Sequence, residues 1–311
     1  MTLIQLEYIV ALDTHRHFAL AAEKCFVTQP TLSMQIQKLE EELGVKIFDR
    51  TKQPVIPTEI GTNIIAQARK ILIQAQMIKQ IINDQKDTLS GDLRIGIIPT
   101  LAPYLLPPLY KHMNEKYPRL NLIIKELITE EVIHNLKNSR LDCGIVVTPL
   151  NDASIKEDVL FYEELFVYVS KKNSLFDKKY VLAKEIDPNQ LWLLEEGHCF
   201  RSQILNLCEL RKSNDLHFKY ETGNIETLKR MVDKSDGITI LPELAVMEFS
   251  PADRKLVKRL KQPSPAREVS IVTHRDHIKT KLIKTMKEEI LNIVPKQMQK
   301  LQNKKIVEIN Y

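Results

Sequence analysis

The chain has 311 residues, 43% of them hydrophobic, enough for two or three compact units with sizeable cores. No apolar run approaches the ~20 residues of a membrane helix, and the N-terminus has no basic-then-apolar signal, so a soluble, cytoplasmic protein with no membrane partner is expected. The net charge of +5 points only faintly to a polyanion, because residues 1–60 carry six Lys/Arg against eight Asp/Glu, and four scattered cysteines exclude a disulfide scaffold.

From the N-terminus, Leu3, Leu6, Ile9 and Val10 recur at helical spacing. A second short helix fits Phe18–Lys24, where Ala19, Ala21 and Ala22 permit close packing. After a turn at Cys25-Phe26-Val27, Thr28 is placed to cap a third helix that tolerates Pro30 in its first turn. Leu32, Ile36 and Leu39 mark its buried face, and Thr31, Ser33, Gln35 and Lys38 leave the other faces polar. The pattern reads either as a helix-turn-helix that reaches base edges and phosphates or as an ordinary helical bundle. Gly44–Thr58 predicts two short strands around a basic tip, a wing whose Arg50 and Lys52 meet the DNA backbone or minor groove. Thr58 then caps a long helix in which Ile60, Ile64, Ala68, Ile71, Ala75, Ile78 and Ile82 step by fours and threes. That is a coiled-coil seam, and it needs a partner chain. A dimer presents two recognition helices to two half-sites.

The run FALAAEKCFVTQPTLSMQIQKLEEELGVKIFDR resembles the winged helix-turn-helix of LysR-type regulators. The order helix-turn-helix, wing, Thr-x-x-Gly, long linker helix is that family's layout. The resemblance implies double-stranded DNA, as promoter half-sites, for a partner. The implied contacts are Gln29, Pro30, Thr31, Ser33, Gln35 and Lys38 of the recognition helix with Arg50 and Lys52 of the wing. It also implies a homodimer or homotetramer that works with RNA polymerase. Residues 1–58 are then the DNA-binding domain and 59–90 the dimerising linker helix.

Beyond residue 91 the pattern alternates. Leu93–Ile98, Leu120–Leu127 and Leu141–Val147 read as strands; Leu105–Lys116 and Thr129–Lys137 read as helices. This βαβα order predicts a parallel α/β sheet. A second set falls at Leu191–Leu194, Cys199–Leu210, Leu216–Glu221, Glu226–Val232 and Gly237–Leu241. The strand Val269–Val272 and the helix Lys279–Ile293 return to the first lobe. The expected fold class is α/β with an N-terminal all-α winged helix-turn-helix. Its two α/β lobes resemble the periplasmic-binding-protein-like effector domain of LysR regulators, with a cleft beyond the strand ends. That domain is placed at 91–298, lobe I at about 91–161 and 268–298 and lobe II at about 162–267. Residues 299–311 read as a loose polar tail.

The segment Glu195–Cys208 carries the chemistry. Cys199 follows His198, precedes Arg201 by two residues and sits where a strand gives way to a helix. Positive charge and helix N-termini favour thiolate, the reactive form. Cys208, nine residues on, can serve as a resolving thiol, since a sulfenic acid condenses with a neighbouring thiol. On an intact helix those nine residues span ~13 Å, so Leu205 and Leu207 would have to leave their packing before a bond closes. Cys199, Cys208 and His198 could instead be three zinc ligands, but no fourth is evident. Cys25 and Cys143 read as small core residues. No cofactor is expected.

The segment GHCFRSQILNLC is similar to the redox segment of the hydrogen-peroxide-sensing branch of LysR regulators. IGIIPTLAPYLLP, LDCGIV, and ETLKRMV followed by GITILP agree with it. The resemblance spans roughly residues 1–295. It implies that Cys199 is the peroxidatic and Cys208 the resolving cysteine of an intramolecular disulfide. His198 and Arg201 stand in the same motif, and Thr100 and Thr129 help hold peroxide near the sulfur. Ser202 departs from the acidic residue of many relatives, which puts a charge relay there in doubt. Two other classes compete with a peroxide-responsive regulator that is not an enzyme. One is a LysR-type regulator of a small organic effector with incidental cysteines. The other is a thiol peroxidase, for which the winged helix is superfluous.

Overall fold

Helix α1 (Leu3–His15) begins under Thr2, whose hydroxyl accepts from the Gln5 amide while Gln5 Oε1 accepts from the Thr2 amide. Helices α2 (Phe18–Lys24) and α3 (Gln29–Leu43) follow, with Thr28 capping α3. Leu32, Ile36 and Leu39 of α3 are fully buried against Leu6, Ile9 and Leu12 of α1. In this computed structural model residues 1–84, 89–208, 223–277 and 279–309 are described. The chain divides into two units, Met1–Thr88 and Leu89–Tyr311.

The wing is the antiparallel pair β1 (Phe48–Asp49) and β2 (Ile56–Pro57). Helix α4 (Glu59–Asp84) starts under Thr58, whose hydroxyl accepts from the Gly61 amide at 3.0 Å. A Cβ at Gly61 would lie 2.0 Å from the Ile47 carbonyl oxygen. Only glycine lets the helix approach the wing so closely, which gives the Thr-x-x-Gly spacing its physical meaning. Further along, α4 packs on α1: Ile65 and Ala68 are buried, and Arg69 Nη2 bonds Asp13 Oδ2 at 2.7 Å. This corrects the seam read from periodicity. Ala68 belongs to the domain's own core, with Ile64 and Ile71 packed against it, whereas Ile60 and Ile78 are exposed. The side chain of Ile82 lies outside the described residues.

The second unit opens with β3 (Gly91–Ile97), α5 (Ala102–Lys116), β4 (Leu120–Glu126), α6 (Thr129–Lys137) and β5 (Cys143–Thr148). β3 lies parallel between β4 and β5. Then come β6 (Ile155–Val169), β7 (Tyr180–Val181), α7 (Cys199–Leu207), α8 (Ile225–Lys234), β8 (Ile238–Pro242) and α9 (Glu243–Met247). The last elements are β9 (Val257–Leu260), β10 (Ser264–His274), α10 (Thr280–Ile293) and β11 (Lys304–Ile306). β10 runs antiparallel to both β5 and β6, so the sheet is mixed rather than purely parallel. The first two-thirds of β6 pairs with β10 and its end pairs with β8 and β9. One strand thus carries the chain from one lobe to the other.

Two further expectations need revision, and one is untested. Leu191–Leu194 is no strand but a single bridge, Leu191 to Ile238. The strand expected at Leu216–Glu221 lies outside the described residues. Residues 299–311 are not a loose tail as far as they are described. β11 adds parallel to β10, the Val307 amide donates to the Ala266 carbonyl at 2.9 Å, and Lys304 Nζ donates to the Tyr162 carbonyl at 2.9 Å. Its polarity misled because, among its described residues, Val307 and Ile309 are the ones packed on the core. Among the described residues no helix is long and apolar enough to cross a membrane.

Candidate functional site

In the N-terminal unit α3 presents its outer face. Gln29, Pro30, Met34, Gln37 and Lys38 are exposed there, and Lys52 is exposed on the wing. Gln35 is half-buried, and its Oε1 accepts from Gln5 Nε2 at 3.3 Å. Thr31 and Ser33 are half-buried. Arg50 is held rather than free: its Nη2 bonds Glu40 Oε2 at 3.1 Å, and its guanidinium lies over the Phe18 ring. Glu40 is itself buried, and it also accepts from the Ile47 and Phe48 amides, fixing wing to helix. Met34, 48% exposed on the recognition helix, was missed by a search for polar residues. An apolar side chain there suits a thymine methyl group.

In the second unit Gly197, at φ +92°, turns the chain into α7, and Cys199 is that helix's first residue. Cys199 is 7% exposed and its thiol is free. Thr129, the first residue of α6, faces it. Two helix N-termini therefore meet at one sulfur, where backbone donors and the positive dipole ends favour an anion. The Thr129 hydroxyl is buried without a hydrogen-bond partner of good geometry, yet it pulls the Cys199 pKa down. It is an available donor aimed at the sulfur. Burial is the largest influence and pushes the Cys199 thiol above its ordinary value. The Arg267 guanidinium, Thr129 and the Phe200 and Cys199 amides oppose this without cancelling it. The neighbouring cation, hydroxyl and amides thus work against burial at this sulfur rather than acting alone.

The charges are also differently arranged. Arg201 does not face the sulfur, because residues two apart on a helix point to different sides. Its Nη1 donates to the Leu194 carbonyl at 2.8 Å and ties α7 to the preceding loop. The cation near the sulfur is Arg267 on β10, fully buried and stacked 4.9 Å from the Phe200 ring centroid. Arg267 Nε donates to Glu163 Oε2 at 2.8 Å, and Nη1 donates to Thr100 Oγ1 at 2.8 Å. Thr100 therefore positions the arginine. Glu163 and Arg267 were missed, though each is a charged residue inside an apolar strand segment, which is the signal that finds them. His198 is buried, its Nε2 3.4 Å from Glu195 Oε1 and close beneath Gly223. It walls a cavity of about 380 Å³ lined also by Pro99, Leu127, Ile128, Glu131 and Asn224.

Cys208 caps the far end of α7, and burial raises its thiol to about 11. The nine-residue step from one thiol to the other spans ~13 Å of helix, too far for a shared metal or for the ~7 Å between Cα atoms of a disulfide. The anchors of α7 are Phe200 and Ile204, both fully buried; Leu205 and Leu207, expected to play that part, are half-buried. Cys143 lies in the core, its thiol pushed far up by burial, and Cys25 is half-buried.

The bacterial LysR-family helix-turn-helix model matches residues 3–62, and the LysR substrate-binding domain model matches residues 86–293. The chain is 36% identical over 273 residues to the DNA-binding transcriptional dual regulator OxyR of Escherichia coli K12, covering 88% of this chain and 89% of that protein. The identity and the coverage of both chains are the same for a hydrogen peroxide-inducible genes activator of Dickeya chrysanthemi. A full-length OxyR variant of Pseudomonas aeruginosa superposes with a TM-score of 0.81 at 34% identity, over 94% of this chain and 98% of that one. The chain belongs to the LysR family of bacterial helix-turn-helix regulators, in which its sequence and its fold both match OxyR proteins.

Proposed function

We propose that this chain is a cytoplasmic DNA-binding transcription regulator that senses hydrogen peroxide at Cys199 and signals through a Cys199–Cys208 disulfide. The observation that carries the reading is the buried Cys199 thiol at two helix N-termini, beside Arg267 and the unpartnered Thr129 hydroxyl. The names of the OxyR relatives support peroxide as the stimulus and DNA as the partner.

The chemistry balances as follows. Cys199 gives up its proton, and the thiolate sulfur attacks one peroxide oxygen. An S–O bond forms, the O–O bond breaks, and hydroxide leaves to take up the proton as water. Cys208 then attacks the sulfenic sulfur; the S–S bond forms, the S–O bond breaks, and a second water leaves. Two thiols have lost two electrons to one peroxide. Arg267 and Thr129 stabilise the anion on which the first step depends. The oxidised cysteine is a signal rather than a turnover intermediate, so the protein is not an enzyme.

The exposed Ile60 and Ile78 of α4 support a dimer seam, with half-sites read by Gln29, Pro30, Thr31, Ser33, Met34 and Lys38 and by Lys52 of the wing. Gln35 and Arg50 contribute once their contacts to Gln5 and Glu40 exchange. Tetramers and contact with RNA polymerase complete the reading. The test is mass spectrometry and footprinting of peroxide-treated protein. A Cys199–Cys208 disulfide and a shifted footprint are expected, both lost in Cys199→Ser and both kept in Cys25→Ser and Cys143→Ser. A shifted footprint with Cys199 unmodified and both thiols free would overturn it and favour an organic effector.

A further inference from the structure

The C-terminal segment reaches the middle of α7. Gln203 Nε2 donates to the Val307 carbonyl at 3.1 Å, and Asn206 Nδ2 donates to the Glu308 carbonyl at 3.0 Å. Gln203 is fully buried. Cys199, Gln203 and Asn206 stand four and three residues apart, so they share one face of the helix. The segment is itself fastened from behind. Lys304 and Ile306 pair with Ser264 and Ala266 of β10, Val307 bonds Ala266, and Lys304 reaches Tyr162 on β6. Ala266 immediately precedes Arg267, the cation near the sulfur. Both side-chain bonds lie between the two cysteines, in the part of the helix that must unwind before their Cα atoms come within ~7 Å.

We infer that residues 304–309 are a clasp on the redox helix, and that Gln203 and Asn206 are positioning residues that set how readily the Cys199 sulfenic acid closes onto Cys208. This rests on the disulfide reading above. Closure unwinds the helix and breaks both clasp bonds, so the clasp slows closure and favours return to the dithiol. The clasp bonds are made at Gln203 and Asn206, and they leave in place Arg267, Thr129 and the amides that draw the Cys199 thiol down in the first step. The chemistry is that given above: peroxide is the oxidant, and water leaves from the sulfenic sulfur as the S–S bond forms.

The test uses the full chain with Asn206→Ala, Gln203→Leu, the double variant, and Lys304→Met, which loosens the segment without altering the helix. Sulfenic acid formation is timed in a Cys208→Ser background, disulfide closure by quenched alkylation and mass spectrometry, and the dithiol–disulfide ratio in a glutathione buffer. Each lost bond should speed closure and shift the ratio toward disulfide about fivefold, with the first step unchanged. Asn206→Ala is a sharp probe because alanine is the better helix former; an effect confined to helix propensity would slow closure instead. Lys304→Met should move in the same direction. Hydrogen exchange at residues 304–309 should rise on oxidation of the wild type and stay unchanged in Cys208→Ser. Closure at the wild-type rate or slower in all variants, with wild-type disulfide still forming, overturns the clasp alone. Absence of the disulfide in the wild type overturns the switch and the clasp together.

Discussion

Replacing Thr129 with valine removes one hydroxyl and keeps the shape. That hydroxyl is buried and has no other partner of good geometry, so its loss leaves no broken network behind. Thr129 is 2% exposed, and burying a methyl group there in place of an unsatisfied oxygen should hold or raise Tm. The consequence falls on the sulfur. Thr129 is one of the groups that draw the Cys199 pKa down against burial. A hydrogen bond to a charged partner contributes ~1.5–3 kcal/mol, which at ~1.4 kcal/mol per decade is about 10- to 150-fold in the rate of thiolate attack. The assay is the second-order rate of Cys199 oxidation by peroxide in the Cys208→Ser background, with Tm measured on the same samples. A rate unchanged within twofold would refute the assignment of this hydroxyl to the reacting sulfur. A large drop in Tm would refute the claim that it is structurally idle.

Arg267→Met should slow oxidation at neutral pH and move the pH profile further upward, because it removes the cation that opposes burial of the thiolate. It should also cost about 3–5 kcal/mol by leaving Glu163 buried and unpaired, and adding Glu163→Gln should recover stability without recovering rate. Glu289 binds Lys116, Tyr117, His112 and Asn292 between α5 and α10; burial raises its carboxyl, but these bonds outweigh it and hold it at about 2. A depressed folded pKa means stability that is present above the ordinary carboxyl value and lost as pH falls through that range toward 2. The wild type should therefore lose more Tm between pH 5 and 3, on the order of those ordinary values, than Glu289→Gln does. Gly61→Ala places a Cβ against the Ile47 carbonyl, so wing and α4 must part; a loss of ~1–3 kcal/mol and weakened operator binding in a gel-shift titration are expected.

The helix-turn-helix was legible because its signals are local. Thr28 at the cap, Pro30 in the first turn and the Leu32/Ile36/Leu39 stripe each act within one or two helical turns. Cys199 at a helix start was legible for the same reason. Arg267 and Glu163 were not, because they lie 104 residues apart in sequence and meet only through the register of β6 and β10. The raised Cys199 pKa was hidden for a related cause. His198 and Arg201 are visible neighbours in the sequence, but the influences on the sulfur are burial, set by the whole domain, and Arg267 from a distant strand. Periodicity likewise found α4 but could not tell which of its apolar residues α1 would claim, and so put Ala68 in the wrong interface. The docked tail was masked by composition, since a strand that pairs along an edge needs few apolar side chains.

A sensor must also reset, and the geometry bears on how. On the proposed Cys199–Cys208 disulfide, closure would unwind α7, and Phe200 and Ile204, each fully buried, are the side chains with most to lose. Displacing them costs about 1.5–3 kcal/mol apiece, or roughly 3–6 kcal/mol together. Peroxide reduction is driven strongly enough to absorb that. Exchange with a cellular dithiol is not, because there ~1.4 kcal/mol already corresponds to ~30 mV of potential. Stabilising the reduced helix by roughly 3–6 kcal/mol therefore raises the potential of the disulfide by about 60–130 mV relative to an unstrained pair. In that proposal, the packing that keeps the two thiols ~13 Å apart is the same packing that would make the oxidised state easy to reduce. Weakening it, as Ile204→Ala would, should leave the sulfur as accessible to peroxide while making the signal slower to switch off.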